Sequence, residues 1–242
     1  MAKNEDGILG PLKGKVGPVV GSSWRGIAYV KSAPNRKKPP TERELENRHM
    51  FSFTQKWLNP IKKFLIQGFK NYSRTNYGVN AAKSFLYENA LIKDGMNSKV
   101  VPSKMQISYG DLPLPKDIAM EWKDGDNGYG QLIVTWGATD KNDEHDFDSQ
   151  DQVMVLAYAP TDKDSIGVVH GAFRATGKQV IDIDHDVHKH EYHVWVAFVA
   201  ADRKQQSHSV YLGPIVEVEP EDLIQNVITE EVSPEEVSLE EA

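Results

Sequence analysis

The chain has 242 residues, 39% hydrophobic and 26% charged, with a formal net charge of −7 and no Cys. That length holds one large domain or two modest ones with a real core, and the missing cysteines exclude disulfides, thiolate metal sites and cysteine nucleophiles. No stretch approaches the roughly 18 to 20 consecutive apolar residues of a membrane-spanning helix. The start MAKNEDGILG lacks the basic and apolar regions of a secretory signal, so cytoplasmic synthesis without export is expected.

The net charge hides a division. Residues 1–104 carry 19 Lys and Arg against 7 Asp and Glu, a net +12, whereas residues 105–242 carry 9 against 28, a net −19. Two parts with different surroundings follow. A basic half can track nucleic-acid phosphates or dock on an acidic protein surface. Because its basic residues are spread out rather than packed in one block, the protein contact, including self-assembly, is ranked first and nucleic acid second.

In chain order, glycines at 7, 10, 14, 17, 21 and 26 break any helix, each costing about 1 kcal/mol relative to Ala in a helix interior. Val16, Val19 and Val20, then residues 24–30 (WRGIAYV), read as two short strands that pair as a hairpin or add to another sheet. Residues 32–40 (SAPNRKKPP) are a basic linker. Thr41 is an N-cap, with Glu42, Glu44 and Glu46 in the turns where the helix dipole favours anions. Leu45, Met50, Phe53, Trp57 and Leu58 mark one face of the helix, which Pro60 ends. Ile61, Phe64, Leu65 and Phe69 continue into a second helix, and Asn80 caps a third over residues 81–92.

From about residue 98 the period becomes alternating. Seven strands are predicted at 118–122, 131–136, 152–158, 168–174, 179–183, 192–199 and 207–218, which suits a β-sandwich. The segment after Pro220 belongs to a run of ten acidic and no basic residues from Glu217 onward and is expected to be disordered.

Gln131 to Trp136 (QLIVTW) resembles the second strand of fibronectin type III domains, where alternate apolar residues end in a core Trp. Tyr192 to Phe198 (YHVWVAF), with Ala201, Asp202 and residues 207–210, is similar to their sixth strand, turn and seventh strand. The resemblance implies that Tyr192 packs and bonds at a corner. The acidic stretch 139–151 departs from the compact pattern. Over residues 5–218 the chain also resembles an uncharacterised family of proteins from Bacteroidota bacteria and some of their phages. The matching pieces include residues 7–34 (GILGPLKGKVGPVVGSSWRGIAYVKSAP), Asn80-Ala81-Ala82, Tyr109-Gly110-Asp111-Leu112 and Ser209 to Gly213 (SVYLG). That family implies no catalytic residues; its phage occurrences imply a particle or tail component.

Several local patterns carry candidate chemistry. His185, His188, His190 and His193 stand among Asp182, Asp184, Asp186 and Glu191, ligand types that suit zinc or another transition metal, with His188 and His190 alternate on a strand. A solvated turn with His193 facing outward is the preferred reading. Asp140, Asn142, Glu144, Asp146 and Asp148 resemble half of a calcium loop, but His145 replaces the turn Gly and Asp151 the twelfth-position Glu. Gly10 to Lys15 fails as a phosphate loop because three residues, not four, separate its glycines, and Val16 stands where Ser or Thr is required. Lys13, Lys15, Trp24, Arg25, Lys31, Arg36, Lys37 and Lys38, with Tyr29, form the candidate partner-binding set. Their bland reading is aromatic core plus a solvated linker.

The expected class is thus α+β and multidomain. A glycine-rich β-hairpin and basic linker (1–40) and a helical unit (41–97) precede an all-β, seven-stranded Ig or fibronectin type III-like sandwich (98–219) and an acidic segment (220–242). The expected role is a noncatalytic structural, assembly or adhesion component, with nucleic-acid binding by the basic third as the alternative. No cofactor or metal is assigned.

Overall fold

The computed structural model of the protein describes residues 3–4, 10–24, 26–35, 38–73, 75–94, 97–124, 130–137, 150–183 and 191–215. Its contacts divide into two units, Met1–Leu45 and Glu46–Ala242.

In the first unit, strands β1 (Lys3–Asn4), β2 (Leu12–Val16), β3 (Val19–Trp24) and β4 (Ile27–Ser32) form an antiparallel sheet in sequence order. Val16 pairs with Val19 and Trp24 with Ile27, so both hairpin loops have two residues. Gly17 (φ 53°) and Gly26 (φ 82°) supply the positive φ that such tight loops favour. The expected two-strand hairpin is therefore corrected to a meander. The valines at 16, 19 and 20 flank a turn, and the stretch 24–30 contains the next one. Gly21 is tied to its place by close approach, since a Cβ there would lie 1.9 Å from the Leu12 carbonyl oxygen.

Helix α1 (Glu42–Leu58) begins as its sequence dictates. The Thr41 amide donates to Glu44 Oε2 at 2.8 Å and the Glu44 amide to Thr41 Oγ1 at 3.4 Å, a reciprocal capping box. The helix stops before Pro60, and α2 (Lys62–Gly68) follows. The third helix departs from expectation at both ends. Helix α3 (Val79–Phe85) starts after Gly78 without a side-chain cap from Asn80. It then widens into a π-helical turn, Leu86–Ala90, and Leu91–Ile92 becomes a short strand, β5, paired with Lys99–Val100, β6.

The remaining strands are β7 (Ala119–Asp124), β8 (Gly130–Thr135), β9 (Gln152–Ala159), β10 (Asp164–Val168), β11 (Lys178–Ile183), β12 (His193–Val199) and β13 (Val210–Pro214). They form a three-stranded sheet, order β11-β8-β7, and a four-stranded sheet, order β10-β9-β12-β13. One predicted strand is misplaced. Residues 168–174 alternate in character, yet the chain turns back at once after β9 through residues 160–163, with Lys163 at φ 59°, so that Asp164 already pairs with Ala159.

Two cores lie on opposite faces of the four-stranded sheet. Val153, Val155 and Ala157 of β9 and Val194, Val196 and Phe198 of β12 meet Leu132, Val134 and Ile181 of the other sheet, with Trp136. Met154, Leu156 and Tyr158 of β9 and Trp195, Ala197 and Val199 of β12 meet Leu58, Phe64, Leu65 and Phe69 from the helices. The second unit is therefore three layers deep, helices over a four-stranded sheet over a three-stranded sheet, and residues 46–97 share a core with 98–215. Polar stitches fix the helical layer. Trp195 Nε1 donates to the Met105 carbonyl at 2.9 Å, and Ser165 Oγ to the Pro60 carbonyl at 3.0 Å. Among the described residues no helix is long and apolar enough to cross a membrane.

Candidate functional site

The sheet of the first unit sorts its side chains by strand register. Lys15 pairs with Val20, which pairs with Lys31; Ser22 pairs with Tyr29, and Trp24 with Ile27. Directly opposed residues share a face, and alternate residues of a strand return to it. Lys13, Lys15, Trp24, Ile27, Tyr29 and Lys31 therefore lie on one face, and all six are exposed. Lys31 Nζ stands 5.8 Å from the centre of the Tyr29 ring, within cation–π range. Between Asp6 and Glu42 the chain has seven Lys and Arg and no Asp or Glu.

Four of the eight sequence candidates, Lys13, Lys15, Trp24 and Lys31, are thus brought together, and Lys38 is exposed beyond β4. Arg25, Arg36 and Lys37 lie outside the described residues. The core reading of the aromatics does not hold, because Trp24 is 60% and Tyr29 41% exposed. Sequence reasoning missed Ile27, which is 64% exposed. Its register partner is Trp24, and only the two-residue loop at Gly26 places the two side by side.

The histidine cluster divides differently. His185, His188 and His190 lie outside the described residues. His193 does project from the sheet face away from the sandwich interior, as expected, but that face is covered by the helical layer and His193 is buried. Its Nδ1 lies 2.8 Å from the Tyr211 hydroxyl, and its Nε2 3.7 Å from Glu191 Oε1. Burial holds its pKa below the usual imidazole value, and the Glu191 carboxylate opposes that shift in part. Among the described residues no cluster of three or more His, Asp or Glu could hold a metal ion.

The calcium-loop candidates Asp140, Asn142, Glu144, Asp146 and Asp148 lie outside the described residues. Asp151 is not a solvated loop residue but is buried, 3.7 Å from Nη1 of buried Arg174. Arg174 Nη1 also donates to the Pro113 carbonyl at 2.8 Å, and Trp136 Nε1 to the Arg174 carbonyl at 2.7 Å. Tyr192 is buried at the start of β12 and donates its hydroxyl to the Asp164 carboxylate. Two of the singled-out sequence pieces are neighbours in space. The Ser209 amide donates to the Ser108 carbonyl at 3.0 Å, and beside them a cleft of about 280 Å³ is lined by Tyr72, Tyr109, Asp111 and Gln206 among others.

The model of a family of unknown function, DUF6266, matches residues 11–213. The chain belongs to that family, and the match takes in β2, β3 and β4 of the first unit and the helices and both sheets of the second. No curated protein and no solved structure matches the chain significantly.

Proposed function

We propose that this member of a family of unknown function is a noncatalytic structural or assembly component that docks a protein partner on the face of Lys13, Lys15, Trp24, Ile27, Tyr29 and Lys31. The observation that carries the reading is the register of β2, β3 and β4, which gathers lysines and exposed aromatic and aliphatic side chains on one face. Aromatic anchors are enriched at protein interfaces, where they bury large areas at low entropic cost. The three-layer unit then serves as the rigid body.

The body is read as a fibronectin type III-like sandwich with a helical layer added to one sheet. Its strand order supports this. Counting from β7, strands one, two and five make one sheet, and strands four, three, six and seven, in that order, make the other. Trp136 in the inter-sheet core and Tyr192 just before the sixth strand lend it further support. Synthesis in the cytoplasm and incorporation into a larger particle, of a Bacteroidota bacterium or one of its phages, complete the reading.

A second reading, nucleic-acid binding, is favoured by the same lysines beside Trp24 and Tyr29, because cations that hold phosphates and rings that stack bases work together. Light scattering of the protein across a salt series, with and without nonspecific DNA, separates the two. Assembly of the protein alone that dissolves as salt screens its charges supports the first. A monomer that gains mass only with DNA replaces it by the second.

A further inference from the structure

The face has a direction. At one end Lys15 and Lys31 flank Val20 across three strands, about 10 Å apart at the usual strand spacing. At the other end, about 13 Å along β3, Trp24 stands opposite Ile27, with Tyr29 between the two ends. An occupant matching this face carries carboxylates and aliphatic side chains within a few residues of each other. A nucleic acid would meet the lysines and the rings, but it has no carbon chain to offer Ile27 and Val20.

The protein itself contains such a stretch. From Glu217 to Ala242 it has ten Asp and Glu and no Lys or Arg, interleaved with Leu223, Ile224, Val227, Ile228, Val232, Val237 and Leu239. The stretch lies beyond β13 and outside the described residues, so 26 residues of complementary charge and hydropathy follow the body, while the sheet of opposite charge precedes it. We infer that the occupant of the sheet face is the acidic segment 217–242, supplied by a neighbouring copy. This rests on the assembly reading above and gives that assembly its chemistry, a head-to-tail contact between unlike surfaces that generates rings or filaments.

The test uses full-length chains, half of them grown on heavy nitrogen, mixed at low salt and treated with a carbodiimide, which joins amines to carboxylates at zero length. Peptide mass spectrometry should find Lys13, Lys15 or Lys31 linked to acids of 217–242, with a share of the pairs joining one heavy to one light peptide. A full-length variant with Glu230, Glu231, Glu235 and Glu236 changed to Gln should lose the links at those four positions and assemble markedly less at low salt. Links found only within single chains uphold the segment as occupant but overturn its supply by a neighbour and the assembly reading with it. If the Gln variant assembles as the unaltered chain does while Lys13→Glu with Lys31→Glu does not, the inference falls and the docking face stands. The inference also falls if a single-stranded oligonucleotide shields the three lysines and no link to 217–242 forms.

Discussion

Tyr158, on the central strand β9, donates its hydroxyl to the backbone carbonyl of Trp57 at 2.8 Å, and the two rings meet edge to face with centroids 5.1 Å apart. Both residues are buried, so one contact ties the end of α1 to the sheet by a hydrogen bond and by ring packing. Burial also pushes the Tyr158 phenol well above its ordinary pKa, which keeps it a donor throughout the working range. Tyr158→Phe leaves the Trp57 carbonyl without this donor and should cost about 1 to 3 kcal/mol. Trp57→Ala removes the ring as well and should cost about 3 to 5 kcal/mol. Urea denaturation of the two variants checks the ranking; equal losses would mean that the hydroxyl, not the packing, carries the contact.

Arg174 and Asp151 are both buried, and the pair joins the segment before β9 to the turn before β11. Removing one partner leaves a buried charge without its counterion, so Arg174→Met should cost about 3 to 5 kcal/mol. Adding Asp151→Asn should recover part of that loss. A double-mutant cycle in urea reads the coupling; strictly additive losses would show that the two charges do not sense each other.

How much of this was legible in the sequence depended on whether the signal was local. Thr41, with Glu42, Glu44 and Glu46 behind it, announced the start of α1 because an N-cap and its acidic first turns are contiguous in sequence, and QLIVTW announced β8 because its apolar run is short, bounded and rich in β-branched side chains. The coverage of the four-stranded sheet by helices was not read, although a trace of it stands in the sequence. VMVLAYA in β9 and VWVAFV in β12 are apolar at every position, as strands buried on both faces must be. His193 is buried on the same face of the sheet, beside Trp195 and Tyr211. Strand β10 was misplaced because tight return after β9 decides its register, and the alternation of residues 168–174 carries no such information. For the candidate site, the residue types were visible but their common face was not, since it depends on two turns that the glycine-rich composition leaves unplaced.

His193 makes stability depend on pH in a stated direction. Burial lowers its folded-state pKa below the unfolded value of about 6.5, with Glu191 opposing the shift and the Tyr211 hydroxyl holding Nδ1. The unfolded chain therefore binds the extra proton first. The contribution is fully present above about pH 6.5 and is lost as pH falls toward the folded value, with a slope of at most about 1.4 kcal/mol per pH unit. His170 is shifted the same way by burial and by Arg203, so His193→Gln should reduce the slope of stability between pH 7 and 5 without abolishing it. A slope unchanged by the substitution would remove His193 from the account.

Gly21 tests the sheet that carries the proposed docking face. Its missing Cβ makes room for the Leu12 backbone, so Gly21→Ala should force β2 from β3 and speed amide hydrogen exchange across residues 12–24. Unaltered exchange there would show that β2 and β3 do not approach so closely.

On the proposed function, the face of β2, β3 and β4 holds an assembly together. The most direct test is sedimentation velocity at low salt on the full-length chain and on the variant Lys13→Glu, Lys15→Glu, Lys31→Glu, whose three reversals leave Trp24, Ile27 and Tyr29 in place. A large species is expected for the unaltered chain and a monomer for the variant. A variant that sediments like the unaltered chain would contradict the proposal.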